Sequence, residues 1–191
     1  MKFKKTLAIT LVAVGITVTG YIYADSQTKT VEISAMSVTH KDLNELESRS
    51  ELIVTGVPLD SENHVVTDED GFVQEGFTIT SFKIDGVYSD KMEKKIKEGD
   101  IIKVAEPVYT IDNGLKPGQT EFVIEDYKKM KQSNRYILVL KPDVNYPDLN
   151  VIVGVKEGQY SLDSDGEKGL FLVEDEAKNF KEELVSKYNI K

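Results

Sequence analysis

Between Leu52 and Val155 the chain returns again and again to short runs of β-branched and aromatic residues, and helical striping is confined to its two flanks. Leu52-Ile53-Val54-Thr55-Gly56-Val57, stopped by Pro58, predicts a first strand. The run from Phe77 to Tyr88 changes phase, with Phe77 and Ile79 on one parity and Phe82, Ile84 and Tyr88 on the other. One extra residue near Thr80 and Ser81, a β-bulge, would return both sets to the core and bend the strand. Ile101 to Ile111 predicts a third strand, bulged or at an edge where Pro107 interrupts it. Tyr136-Ile137-Leu138-Val139-Leu140 is apolar on both parities, which predicts the most deeply buried strand. Leu149, Val151, Val153 and Val155 alternate in a fifth strand. Gly158 to Leu162 and Lys168 to Val173 then flank Asp163-Ser164-Asp165-Gly166, a hairpin signal.

The flanks read differently. Thr39 is placed to cap a helix with Asp42 near its positive end, and Leu43 and Leu46 give that helix one apolar face before it ends near Ser50. His40 falls in its first turn and is expected to face solvent. Lys91 to Lys97 predicts a turn or short helical segment closed by Gly99-Asp100, and Glu125 to Gln132 a short helix. Glu174 to Tyr188 closes the chain as a helix with Ala177, Phe180, Leu184 and Tyr188 on one stripe. This order implies a mainly β, α+β domain. Its strands and connections match a small five-stranded, partly open Greek-key barrel of the oligonucleotide- and oligosaccharide-binding kind, with an N-terminal helix and a C-terminal hairpin and helix. A two-sheet sandwich is the alternative.

Leu52-Ile53-Val54-Thr55-Gly56, Phe77-Thr78-Ile79, Gly99-Asp100-Ile101-Ile102-Lys103-Val104, Arg135-Tyr136-Ile137-Leu138-Val139-Leu140-Lys141 and Gly158-Gln159-Tyr160 together resemble small exported proteins of Gram-positive bacteria, which carry a β-barrel-like domain of unestablished function. The similarity spans Glu51 to Leu162 and rests on strand and turn residues, so it implies fold and export and transfers no active site. Ser133-Asn134 stands where these proteins usually have Gly-Glu.

Ahead of all this, Lys2, Lys4 and Lys5 precede Thr6 to Ala24, a stretch free of charge, and Asp25 opens a polar segment. A basic head, an apolar middle and a small residue at the end predict a secretory signal peptide over residues 1–24. The uncharged stretch would reach about 28 Å as a helix, so an uncleaved anchor is the other outcome, and Tyr21 and Tyr23 suit its outer interface. Either outcome places the remainder outside the cytoplasm. Residues 25–37 read as a linker and residues 38–191 as one extracytoplasmic domain.

Charge narrows the partners. The 191 residues hold 24 Lys and Arg against 33 Asp and Glu, a net −9, and without the three leader lysines the balance is 21 against 33, or −12. Nucleic acid and anionic lipid are poor partners for that field, so membrane contact is expected only through residues 6–24 if they are retained. The lysines of 91–97 and 128–131 surround apolar anchors and read as solvated faces.

Reactive chemistry is sparse. The absence of Cys excludes disulfides, thiol nucleophiles and zinc-thiolate sites, and His40 and His64 alone cannot build a three-histidine centre. No Gly-x-Ser-x-Gly elbow, His-Glu-x-x-His helix or phosphate-cradling glycine loop occurs. Asp60, Glu62, Asp68, Glu69 and Asp70 cluster around His64, but they lack the spacing of an EF-hand and Asp68-Glu69-Asp70-Gly71 reads as a turn. Tyr146, in Asp143-Val144-Asn145-Tyr146-Pro147-Asp148, is expected at a barrel mouth beside that loop, as a platform for a sugar or peptide. Tyr146, Asp68 and Asp70 are therefore the candidate ligand residues, with no catalytic residue, metal ligand or cofactor assigned. The function expected is noncatalytic binding of a cell-envelope polymer or exported protein. An envelope hydrolase using acidic residues or a weakly held divalent cation is the alternative.

Overall fold

A computed structural model describes residues 24–35, 38–114, 116–163 and 176–191 of the chain. In order they form β1 (Thr28–Ile33), α1 (Leu43–Ser48), β2 (Leu52–Thr67), β3 (Val73–Asp90), β4 (Ile101–Glu106), β5 (Val108–Asp112), β6 (Gln119–Ile124), β7 (Tyr136–Pro142), β8 (Leu149–Ile152), β9 (Gln159–Ser161) and α2 (Glu176–Tyr188). The expected signal segment up to Tyr23, Ser164 to Gly166, the expected second hairpin arm from Lys168 to Val173, and Ala177's side chain lie outside the described residues. Among those described, no helix is long and apolar enough to cross a membrane.

The strands make two sheets. A small one runs β1-β6-β5, and a large one runs β2-β3-β4-β8-β7-β9. Because β2 also pairs with β7, through Leu52↔Leu140 to Gly56↔Tyr136, the large sheet turns back on itself and is partly ring-like. Within it β4 and β8 are parallel, and the other pairs are antiparallel.

Side-chain alternation divides the apolar residues between two cores. Leu52, Val54, Phe82, Ile84, Val104, Tyr136, Leu138 and Leu140 point inward, where Tyr127 and Met130 join them. The opposite parity of the same strands, Ile53, Ile137 and Val139, is covered by Leu43 and Leu46 of α1 and Phe180 and Leu184 of α2. This is why β7 is apolar on both parities and why Ile137 to Leu140 are fully buried, as the sequence predicts.

Gly56 lies where β2 is squeezed between β3 and β7. A Cβ there would come within 2.1 Å of the Lys83 carbonyl oxygen and 2.7 Å of the Phe82 ring. Gly56→Ala is expected to cost about 3 kcal/mol, measured by urea titration, because the nearest clash is with backbone and a side-chain shift cannot relieve it.

Several expectations are corrected. Pro58 does not end the first strand: β2 runs on to Thr67, tolerating the proline where pairing with β7 has finished. The predicted bulge lies across the ladder, not in β3. Between Pro58↔Phe82 and Ser61↔Thr80 the extra residue is on β2, while β3 bulges elsewhere, at Gln74, Asp85 and Tyr88. Thr78 and Thr80, not Phe77 and Ile79, point into the core, because their hydroxyls serve the Val108 carbonyl and the Glu106 carboxyl. Pro107 divides the expected third strand so that β4 and β5 enter different sheets. Residues 125–132 form no helix, since Glu125 and Asp126 adopt positive φ while Tyr127 and Met130 plug the core. Asp42, not Thr39, caps α1, accepting from Glu45 N at 2.8 Å. The fifth strand ends at Ile152, and Val155 sits in a turn at positive φ. Within the expected linker, residues 28–33 form β1, parallel to β6.

Candidate functional site

Beyond Pro58 the β2–β3 hairpin presents two unlike faces. On one, Asn63 brackets Thr110 of β5, donating to its carbonyl at 2.9 Å and accepting from its N–H at 2.7 Å. Thr78 donates to Val108 O at 2.6 Å, and the Tyr109 ring fills the space above Gly76, where a Cβ would approach it to 2.7 Å. That face mounts the small sheet.

The other face carries Glu62, His64 and Val66 from β2 opposite Ile79, Phe77 and Glu75 from β3. His64 stacks on Phe77 with ring centroids 4.5 Å apart. Tyr146, from the connection between β7 and β8, meets both rings edge-on at 5.8 and 5.9 Å, and its hydroxyl donates to Glu75 Oε2 at 2.8 Å. Asp143 turns that connection by accepting from Asn145 N and Tyr146 N. The Glu75 carboxylate, bonded to the phenol, raises the Tyr146 pKa. On the same face Val66 is 41% exposed, while Phe72 in the hairpin turn is 68% exposed and Val144 in the Tyr146 connection 93%. The register Ile79↔Ala105 and Lys83↔Ile101 carries the same outward face onto β4, where Ile101 is exposed.

Tyr146 is thus brought together with His64, Glu75 and Phe77. Asp68 and Asp70 sit past them in the hairpin turn. Asp68 Oδ1 accepts from Asp70 N and Phe72 N, Oδ2 accepts from Gln74 Nε2, and Gly71 at φ 84° closes the turn. With the Asp68 carboxylate committed to its own turn, little is left for a cation. No group of three or more His, Asp or Glu among the described residues is placed to hold a metal ion. Adding calcium is accordingly expected to leave the melting midpoint unchanged. If a site existed, calcium at one hundred times its dissociation constant would raise stability by about 2.7 kcal/mol, an easily seen several-degree shift.

His64, Glu75 and Phe77 were not picked out as site residues by the sequence. The signal was the odd parity of Phe77 and Ile79, which read as a bulge and is instead an outward apolar stripe.

Three further polar places lie away from this face. His40, expected in solvent, is 2% exposed and paired with Glu157: Nδ1 is 2.5 Å from Oε2, and His40 N also donates to that carboxylate. An open groove of about 620 Å³ between α1 and α2 is lined by Asp42, Leu43, Glu182, Glu183 and Lys187. Inside the ring, Glu106 is fully buried among Thr80, Tyr127 and Met130.

No family model matches the chain, and no curated protein is significantly similar to it in sequence.

Proposed function

We propose that this is an exported, noncatalytic binding domain whose ligand face is the outer side of the β2–β3 hairpin together with Tyr146. The observation that carries this reading is the His64–Phe77–Tyr146 cluster, an aromatic surface held by Glu75 with exposed Val66 on the same face. Rings beside a carboxylate suit a sugar or peptide, which offers apolar C–H faces and hydrogen-bond donors together. The succession β2-β3-β4-β8-β7 and back to β2, with β4 parallel to β8, supports an OB-like five-stranded barrel. In such a barrel the β2–β3 hairpin and the 143–148 connection meet at one mouth. Export is supported by Lys2, Lys4 and Lys5 ahead of uncharged Thr6 to Ala24, and by the resemblance to exported Gram-positive proteins. The partner we favour is a cell-envelope polymer or an exported protein, with no cofactor.

Pull-down on isolated wall polymer and on solubilised envelope tests this. Retention above an unrelated acidic protein, lost in Tyr146→Ala while the melting midpoint moves little, is the expected result. Equal retention of wild type and variant would remove Tyr146 from the face, and turnover of the polymer would favour the hydrolase reading.

A further inference from the structure

Glu106 ends β4 inside the ring with no exposed surface, and its contacts allow its proton to be located by counting hydrogens. Oε1 accepts from the Thr80 hydroxyl. Oε2 accepts from Met130 N at 2.7 Å and lies 2.9 Å from the Tyr127 hydroxyl oxygen. That phenol has one hydrogen and two neighbours, because it also meets Oε1 of Gln159 on β9. Gln159 is oriented independently. Its Nε2 donates to Lys128 O at 2.9 Å, so its Oε1 faces the phenol as an acceptor and takes the phenol's hydrogen. The remaining contact, between two oxygens, then needs a hydrogen from Glu106.

We propose that Glu106 is carried as a neutral carboxylic acid donating to Tyr127, and that this proton operates a strap: residues 125–135 close one end of the ring while Glu106 is protonated and loosen when it ionises. An ionised Glu106 can only accept. The Tyr127 hydrogen must then turn from Gln159 to Glu106, leaving Gln159 Oε1 without a donor and weakening the tie between strap and β9 to the single bond from Gln159 Nε2 to Lys128 O. Tyr127 and Met130 are the strap's two plugs in the inner core, and Glu125 and Asp126 at positive φ form its turn away from β6.

The charged and titratable groups bearing on the pair are few. Lys129, on the strap, favours ionised Glu106, and Tyr136 of β7 bears on Tyr127. Burial is the largest influence on Glu106 and raises its pKa against Lys129 and the hydrogen bonds with Thr80, Met130 and Tyr127, and burial, with Glu106 and Tyr136 nearby, raises that of Tyr127. A carboxyl whose folded pKa lies above its unfolded value favours the fold at low pH. Its contribution is complete below the unfolded pKa and is lost as pH rises through the folded one.

Amide hydrogen exchange of the full chain at about pH 5 and about pH 9, corrected for intrinsic rates, tests the strap. Residues 126–132 and 159 should lose about tenfold in protection at the higher pH, the equivalent of roughly one hydrogen bond. In Glu106→Gln the loss should vanish, since an amide nitrogen beside Thr80 leaves an oxygen for Met130 N and carries no titrating proton. Equal pH dependence in both proteins, or none in wild type, would overturn the proposal. Carbon-13 NMR titration of the Glu106 carboxyl in wild type needs no variant: a step above the ordinary glutamate range supports it, and a step within or below that range refutes it.

Discussion

Glu157→Ala is expected to destabilise the domain by about 3–5 kcal/mol, lowering the melting midpoint by roughly 10 °C. The Glu157 carboxylate accepts from His40 N at 3.1 and 3.3 Å and faces Nδ1 at 2.5 Å, with His40 2% and Glu157 9% exposed. Removing it leaves a backbone N–H and a ring N–H buried without acceptors, each costing about 1–3 kcal/mol. Nε2 of the same ring has no hydrogen-bond partner among the described residues, so these offer the site no spare hydrogen bond. Gly154, at φ 68°, packs close to both groups: a Cβ there would stand 2.8 Å from Glu157 Oε2 and 3.0 Å from the His40 ring. Glu157→Gln keeps an acceptor and should cost less than half as much. Urea titration of the three proteins checks this, and a Glu157→Ala cost within about 1 kcal/mol would mean that water reaches the pair.

Phe82→Ala should be comparably severe, at about 3–5 kcal/mol. Phe82 is the largest of the side chains with essentially no exposure and stands at the middle of the inner core, opposite Pro58 on β2 and Ile102 on β4. A ring built from paired strands cannot easily collapse around the void, so both transfer and cavity costs apply. Calorimetry reads the effect as a fall in the midpoint. A loss near 1 kcal/mol would show that β2 moves inward to fill the space.

What the chain disclosed before its structure was known followed the range of the interactions concerned. β7 was legible because burial on both sides is written into five consecutive apolar residues, Tyr136 to Leu140. The closing helix was legible from Phe180, Leu184 and Tyr188, a local stripe. Harder to see was anything decided by a distant partner. His40 is buried because Glu157 waits for it 117 positions later. Thr78 and Thr80 turn inward because Glu106 and the Val108 carbonyl need donors there, against the apolar pattern that Phe77 and Ile79 suggest. β1 is short and half polar, and only its parallel pairing with β6 makes it a strand.

The candidate site followed the same rule. Tyr146 was legible as an aromatic in a turn next to the acidic hairpin. Its partners His64, Glu75 and Phe77 became visible only once the β2–β3 register aligned them on one face. Asp68 and Asp70 stood out by their charge. That charge says nothing of their geometry, and the Asp68 carboxylate is bound within its own turn.

The claim that this face binds is tested most directly by mapping amide chemical shifts while solubilised wall polymer is added to the purified chain. Perturbations are expected to gather at His64, Glu75, Phe77, Asn145 and Tyr146 and to spread toward Ile79 and Ala105, with Tyr146→Ala abolishing them. Perturbations centred on the groove of Asp42, Glu182 and Glu183, with the hairpin face silent, would contradict it.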